Sequence, residues 1–333
     1  MADSKLPQFR IAVNSRCGRA CFFCRPSGES VPTSARSELS LDQVLRLCGA
    51  AVGLGIREVK LTGGDPALWR PLVECVRELK QTIGVSDVQV ISRHPRIGLL
   101  AAGLMKAGLT VLTVSIDTLD PAKHHAITGR DDLEALVGGL RTCLRAGIRC
   151  KINTVVTART SESDIDGMIA FCEREKIAVL KLLDLIVDLD QGKESFSSRM
   201  GIVPAASLSS QFSPLAVIEN RLKNRAKRIE TVTQGAFGHP MISVTLDSGL
   251  VVLVKDSSRG RWFGPICEGC RHFPCHDALM ALRVTPDARL QFCLLGEDRT
   301  RNIGAILDQP VVLSERLAQA IDVYQHAQFW RAM

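Results

Sequence analysis

From residue 8 to about 190, apolar and polar positions alternate in two rhythms. Short β-rich runs, FRIAVN, REVKLTG, DVQVIS, TVLTVSI, CKINTVV and VLKLLDLIV, are separated by longer stretches. In those stretches Leu and Ala recur at three- and four-residue steps. LSLDQVLRLCGAAVGLG and DLEALVGGLRTCLRAG are the clearest, and each ends in Gly. Six strand–helix units in series predict a parallel sheet with helices outside it. Right-handed crossovers then allow a doubly wound sheet or a barrel, complete or partial. Past residue 190 the rhythm changes. QGKESFSSRMG reads as a polar loop and SPLAVIENRLKNRAK as a helix. MISVTLDSGLVVLVKD reads as a hairpin turning at Asp-Ser-Gly, and LRVTPDARLQFCLL as another turning at Pro-Asp-Ala. These predict a small antiparallel appendage, with LSERLAQAIDVYQHA as a last helix.

With 46% hydrophobic and 23% charged residues over 333 positions, the chain is expected to fold as a soluble globular protein. No run of eighteen apolar residues predicts a membrane span. MADSKLPQFR lacks the basic and apolar regions of a signal peptide, so a cytoplasmic location is expected. A net charge of +7 without a Lys/Arg block does not by itself indicate a nucleic-acid surface and is equally compatible with a pocket for a small anion. The cysteines change the picture most. Twelve is a high count for a reducing compartment, where clustered thiols point to metal or catalysis. Cys48, Cys75, Cys143, Cys150 and Cys172 are isolated in apolar or helical context and read as small core residues. The other seven fall into two groups, one towards each end.

The first group is Cys17, Cys21 and Cys24, on the loop after the first strand. Three chemistries use such thiols. Structural zinc prefers four ligands, and no fourth Cys or His lies close by in the sequence; the first His is His94. A Cys-x-x-Cys redox pair in CFFC leaves Cys17 without a role. An iron–sulfur cubane on three cysteines leaves one iron open to a further ligand. Polar residues gather where the strands end, which is where barrel enzymes place their chemistry. Strand two ends in TGGDP, with Gly63, Gly64 and Asp65. The glycines allow close backbone approach to a ligand, and the acid suits an ammonium group. Strand three ends at Ser92, strand four at Ser115 and Asp117, and strand five carries Lys151 and Asn153. Several buried polar groups at one barrel end predict a site, because each is costly unless bonded.

Cys-x3-Cys-x2-Cys after the first strand of a (βα)6 chain resembles the radical S-adenosylmethionine (SAM) superfamily, and TGGDP resembles its GGEP element with Asp for Glu. RIAVNSRC, KLTGGDP, VSIDTLDPAKHHAITGR and KINTVV are most similar to its MoaA-type enzymes of molybdenum-cofactor biosynthesis, well over residues 8–190 and more loosely beyond. The resemblance implies an α/β fold: a partial (βα)6 TIM-type barrel over 1–200 and a small C-terminal α+β auxiliary-cluster domain over 201–333. It implies that Cys17, Cys21 and Cys24 hold a [4Fe–4S] cluster that chelates SAM. One electron, from a donor such as flavodoxin or ferredoxin, then cleaves SAM to methionine and a 5′-deoxyadenosyl radical, which abstracts hydrogen from substrate. By the same likeness Phe23, Gly63, Gly64, Asp65, Ser92, Ser115, Asp117 and Asn153 serve SAM. Arg10, Lys60, Ser92, Lys151 and Arg283 match positions that hold a nucleotide. Four cations in one cavity predict a small anionic substrate, a nucleotide or nucleoside derivative.

The second group lies in CEGCRHFPCHDALMALRVTPDARLQFC. Cys267, Cys270 and Cys293 resemble auxiliary-cluster cysteines, and Cys275 lies in an added segment. Four thiols would close a second [4Fe–4S] cluster, three would leave an iron open to substrate, and structural zinc uses a similar pattern. Cys275 is expected to be a ligand. The chain ends YQHAQFWRAM where MoaA-type chains end in Gly-Gly. This departure favours a related reaction on another substrate, whether cyclising, carbon–carbon bond-forming or oxidative. The alternatives are peptide modification, aminocyclitol or sugar dehydrogenation, and a non-catalytic zinc or iron–sulfur scaffold.

Overall fold

The computed structural model describes residues 5–24, 37–187, 209–277, 279–295 and 300–331. The six predicted strands form: β1 (Gln8–Ala12), β2 (Glu58–Thr62), β3 (Asp87–Ser92), β4 (Val111–Ser115), β5 (Cys150–Val155) and β6 (Val179–Leu183). They pair parallel in chain order. Between them run α1 (Leu41–Gly53), α2 (Leu72–Gln81), α3 (Ile97–Ala107), α4 (Pro121–Thr128), α5 (Leu133–Arg145) and α6 (Glu162–Arg174). Local signals set the helix ends. Ser40 and Gln43 form a reciprocal capping box at α1, and Ser161 and Asp164 form one at α6.

Each strand has one apolar and one polar face. Phe9 and Ile11, Val59 and Leu61, Leu112 and Val114, and Leu180 and Leu182 are buried in the main core, which also takes in Val44 and Leu47 of α1 and Leu136 and Leu140 of α5. The alternate positions are Arg10, Lys60, Gln89, Thr113, Lys151, Asn153 and Lys181. Side chains alternate along a strand, so these share the opposite face. A parallel strand buried on both faces usually reads as continuously apolar. Here the second face lines a polar interior.

The C-terminal segment extends this same sheet at both edges. β7 (Ala226–Val232), β8 (Met241–Leu246) and β9 (Val251–Lys255) form an antiparallel set, and β9 lies parallel against β6. β11 (Ala281–Val284) lies parallel against β1 and turns back into β12 (Arg289–Gln291), which pairs with β13 (Arg301–Asn302). The twelve-stranded order is β13-β12-β11-β1-β2-β3-β4-β5-β6-β9-β8-β7. Both predicted hairpins are present. The predicted helix over SPLAVIENRLKNRAK is shorter, α7 (Ala216–Lys223), because the chain then enters β7. β7 pairs with β8, and that pairing overrides its charged, helix-compatible sequence. The last predicted helix forms as α8 (Pro310–Gln325). It does not close the fold: β14 (Gln328–Trp330) follows and pairs with β10 (Arg261–Phe263). Loop QGKESFSSRMG and the expected boundary at 200 lie outside the described residues. Among the described residues no helix is long and apolar enough to cross a membrane.

The five isolated cysteines are all buried in the main core. Burial pushes the Cys143 thiol up to about 11 and that of Cys172 to about 12, as expected of inert packing residues.

Candidate functional site

A cavity of about 270 Å³ opens at the carboxyl ends of the parallel strands. Cys17, Cys21, Phe23 and Cys24 line one side. Thr62, Gly63, Gly64 and Asp65 from the end of β2, with Ser92 and Arg93 from the end of β3, line another. Ser115, Asn153 and Val155 come from β4 and β5, Asp184 to Ile186 follow β6, and Arg10 reaches in from β1.

Backbone and side-chain bonds together fasten the cysteine loop. Gly64 N donates to Asn14 O at 2.7 Å and Asp65 N to Arg16 O at 2.6 Å. Gly63 has φ +145°, and a Cβ there would stand 2.6 Å from Asn14 O. A Cβ on Gly64 would stand 2.2 Å from Arg16 O. The glycines therefore give close approach to the protein's own cysteine loop. From the other side Ala20 N donates to Thr128 O at 2.9 Å, and Arg130 Nε donates to Gly18 O. Arg19 is buried against Asp132 at 2.5 Å, and Asp132 also meets His124 at 3.0 Å.

Asp65 is spent on protein donors. Its carboxylate accepts from Ser92 Oγ at 2.7 Å, Arg93 N at 2.8 Å and Ala67 N at 3.0 Å. Ser92 in turn accepts from His94 N at 3.1 Å. Both residues thus lock the ends of β2 and β3 together at the cavity wall. Asp117 does not line this cavity: it accepts from Arg93 Nη1 and from Val155 N, both at 2.9 Å. Arg93 links these parts, because the same Nη1 lies 3.3 Å from Cys21 Sγ and the guanidinium lies over the Phe23 ring at 5.5 Å. Burial opposes its charge, but Asp117 and Cys21 outweigh it, so Arg93 stays protonated. Burial pushes Cys17 up to about 12, with Asp65, Cys21 and Cys24 adding to it. Burial pushes Cys21 to about 11 despite Arg93.

One layer deeper, cations gather. Lys60 is 2% exposed and pairs with Glu58 at 2.9 Å. Burial, then Arg10, pulls it down to about 8, and Lys151 adds to the effect. Lys181 is pulled well down by burial, then by Lys60, Arg10, Lys255 and Lys151, and donates to Gln234 Oε1 at 3.0 Å. Lys255 pairs with Asp184 at 3.0 Å. Lys60 and Lys151 belong to this group without lining the cavity. Arg283 departs from expectation. It stands beside Arg10 in register, but its Nη1 donates to the carbonyls of Ala281 and Phe292, and it pairs with Asp277 at 3.7 Å. Thr62, Arg93, Lys181 and Asp184 were missed. A lone Lys and a lone Asp inside VLKLLDLIV were the available signals.

Cys275 and Cys293 pack, with Phe22, Phe23, Leu185, Ile186 and Leu295, in a small apolar cluster that shares Phe23, Leu185 and Ile186 with the cavity wall. Cys267 and Cys270 sit on a short turn, with Cys270 N donating to Cys267 O at 3.1 Å. Among the described residues, no three His, Cys, Asp or Glu side chains are gathered as one metal ion requires. Cubane thiolates stand farther apart, because each binds a different iron. Three thiols lining one cavity beside a buried guanidinium therefore fit an iron–sulfur cluster better than a lone ion.

Residues 11–172 match the radical SAM superfamily model. The chain is 30% identical over 293 residues to a probable GTP 3′,8-cyclase of Methanothermobacter thermautotrophicus, covering 87% of this chain and 84% of the relative. It is 29% identical to one of Sulfurisphaera tokodaii, covering 97% and 92%. Its fold is similar to that of SuiB from Streptococcus suis, solved bound to S-adenosylmethionine. The TM-score is 0.58 at 13% identity, over 92% of this chain and 65% of that one.

Proposed function

Because this chain belongs to the radical SAM superfamily, as a MoaA-like enzyme using a [4Fe–4S] cluster, SAM and an auxiliary cluster, we propose that it acts on a small anionic nucleotide or nucleoside derivative. Cys17, Cys21 and Cys24 would hold the first cluster, and Cys267, Cys270, Cys275 and Cys293, in the C-terminal segment, the second. With reductant, the first centre supplies cleavage of SAM to methionine and a 5′-deoxyadenosyl radical that takes a hydrogen atom from substrate. The chain's own residues position and shield. Phe23 forms an apolar wall, Ser115 and Asn153 offer polar groups at the strand ends, and Phe22, Leu185 and Ile186 exclude water from the mouth. Arg93, held by Asp117, sets a positive charge beside Cys21. A one-electron donor of the flavodoxin or ferredoxin type would complete the system.

The observation that carries the substrate class is the gathering of Arg10, Lys60, Lys151 and Lys181 on the polar face of the sheet. Like charges at this range repel unless an anion joins them. GTP is the first compound to test, since the similar proteins are named GTP 3′,8-cyclases. The test compares wild type with Arg10→Ala and Lys151→Ala for SAM cleavage alone and for cleavage coupled to GTP or other nucleoside phosphates. Each variant should lose about 1.5–3 kcal/mol, or roughly ten- to a hundredfold, in substrate binding. Uncoupled cleavage should be unchanged. Normal coupled turnover in both variants would remove the anionic pocket.

A further inference from the structure

Tyr324 on α8 is the chain's one tyrosine. It is fully buried, and its hydroxyl has no hydrogen-bond partner. Its ring is set between Phe237 at 5.4 Å and Phe292 at 6.3 Å, so the phenol cannot swing to solvent. The ionisable groups that act on it are Arg283, Cys293, Asp277 and Cys267. Two further unmet side chains share this region. Arg283 is 3% exposed, yet its Nε lacks a hydrogen-bond acceptor and its Nη2 has only the Asp277 carboxylate at 3.7 Å, beyond hydrogen-bond distance. Gln291, its cross-strand partner, is 1% exposed with Oε1 unmet.

Buried phenols, guanidinium groups and amides are almost always bonded, so unmet groups gathered near two cysteines point to a further group among them. The local backbone braces Cys293 from both sides. Arg283 bonds the carbonyl of Phe292, and Asp277 bonds the amide of Leu294 at 2.6 Å. We propose that Tyr324 donates a hydrogen bond to a sulfur of the auxiliary cluster at Cys267 and Cys293, with Arg283 alongside as counter-charge. This rests on the reading that the C-terminal cysteines hold a cluster. A donor to cluster sulfur favours the more negative, reduced state and raises the reduction potential.

The test uses the full holo chain. Wild type, Tyr324→Phe and protein grown on 3-fluorotyrosine, which labels this position alone, are reconstituted anaerobically. Iron, sulfide and zinc are counted first, and the potential of the auxiliary centre is then followed by electron paramagnetic resonance. Tyr324→Phe should move the potential to a more negative value at unchanged first-group iron. Fluorotyrosine, a stronger donor, should move it the other way, and its fluorine resonance should shift when the cluster is removed. If Tyr324→Phe sheds only the second group's iron, the donor is needed to retain the cluster, which also supports the proposal. Potentials and fluorine shift that ignore all three changes would overturn it and leave the hydroxyl bonded to water. Wild type lacking second-group iron, or carrying zinc there, would overturn the parent reading, and the metal count reveals this before any potential is measured.

Discussion

At the Gly64–Asp65 turn and at Thr128 the cysteine loop is held by backbone hydrogen bonds at contact distance, and Arg19 and Arg130 add side-chain bonds to it. The loop from Cys267 to Asp277, ahead of β11, is tied to other elements by side chains. Arg261 donates to Cys275 O and stacks on Trp330 at 4.8 Å, Trp330 meets Phe273 at 5.9 Å, and Asp277 and Arg283 brace Cys293. Backbone fastening at contact distance restricts residue type, since a single added Cβ collides with a carbonyl. Side-chain fastening can be met by many combinations. The first region should therefore fail abruptly on small substitutions and the second gradually.

The strongest way to break the comparison is Gly64→Ala. Its Cβ would fall 2.2 Å from Arg16 O, a backbone atom that cannot rotate away. Iron should drop from about eight to about four per chain, the content of one cubane fewer. Deoxyadenosine formation should vanish while the second group keeps its spectrum. An alanine variant that retains full iron would show that the turn does not set the loop.

Asp132→Ala comes next. Arg19 is left buried without its partner, at a cost of about 3 kcal/mol. The melting temperature should fall and first-group iron should become partial. Arg19→Met in the same chain should restore much of the stability, and a double-mutant cycle measures the coupling.

On the C-terminal side, Trp330→Ala should cost about 2 kcal/mol, less than a fully buried Trp because this one is half-buried. Second-group iron should become labile to chelator while first-group iron stays. Cys275→Ala should lose second-group iron or alter its spectrum. If it changes neither, the cluster has three cysteine ligands and an open iron.

The smallest effect separates the cation layer from both cysteine groups. Lys60 ionises near pH 8 in the folded chain rather than at its ordinary 10.5. The unfolded chain thus binds more protons between those values, so stability should rise modestly as pH rises from 8 towards 10. Anion binding has the opposite sign, because it needs the protonated amine. Affinity for a nucleoside phosphate should fall about tenfold from pH 7 to 9.5, the worth of one charged hydrogen bond. In Lys60→Gln both slopes should flatten, which titration calorimetry and thermal melts at each pH would read.

The six barrel strands, most of the helices and both cysteine groups were legible in the sequence because each is a local pattern: period two, period three to four, or fixed spacing. β7 was not, since AKRIETV is charged and becomes a strand only by pairing with β8. β10 and β14 are three residues each, too short for a period to register, and exist through their mutual pairing.

At the site the same division holds. The cysteines, the glycine turn and Ser115 announced themselves by type and place. Arg93 stood in plain view between Ser92 and His94, but an arginine after a strand reads as exposed until Asp117 and Cys21 are seen to enclose it. Arg283 matched a substrate position by sequence, yet its guanidinium turns onto the carbonyls of Ala281 and Phe292. The sequence by itself determined the family, the alternation of strand and helix, and which thiols belong together, all carried by neighbours in the chain. Only the tertiary structure decided that β9 and β11 would flank β6 and β1. It also decided that Lys181 would join Arg10, Lys60 and Lys151, and that Tyr324 would be buried against Phe237 and Phe292. Those meetings join residues far apart in sequence, and no local pattern encodes which distant edges and faces will close on one another.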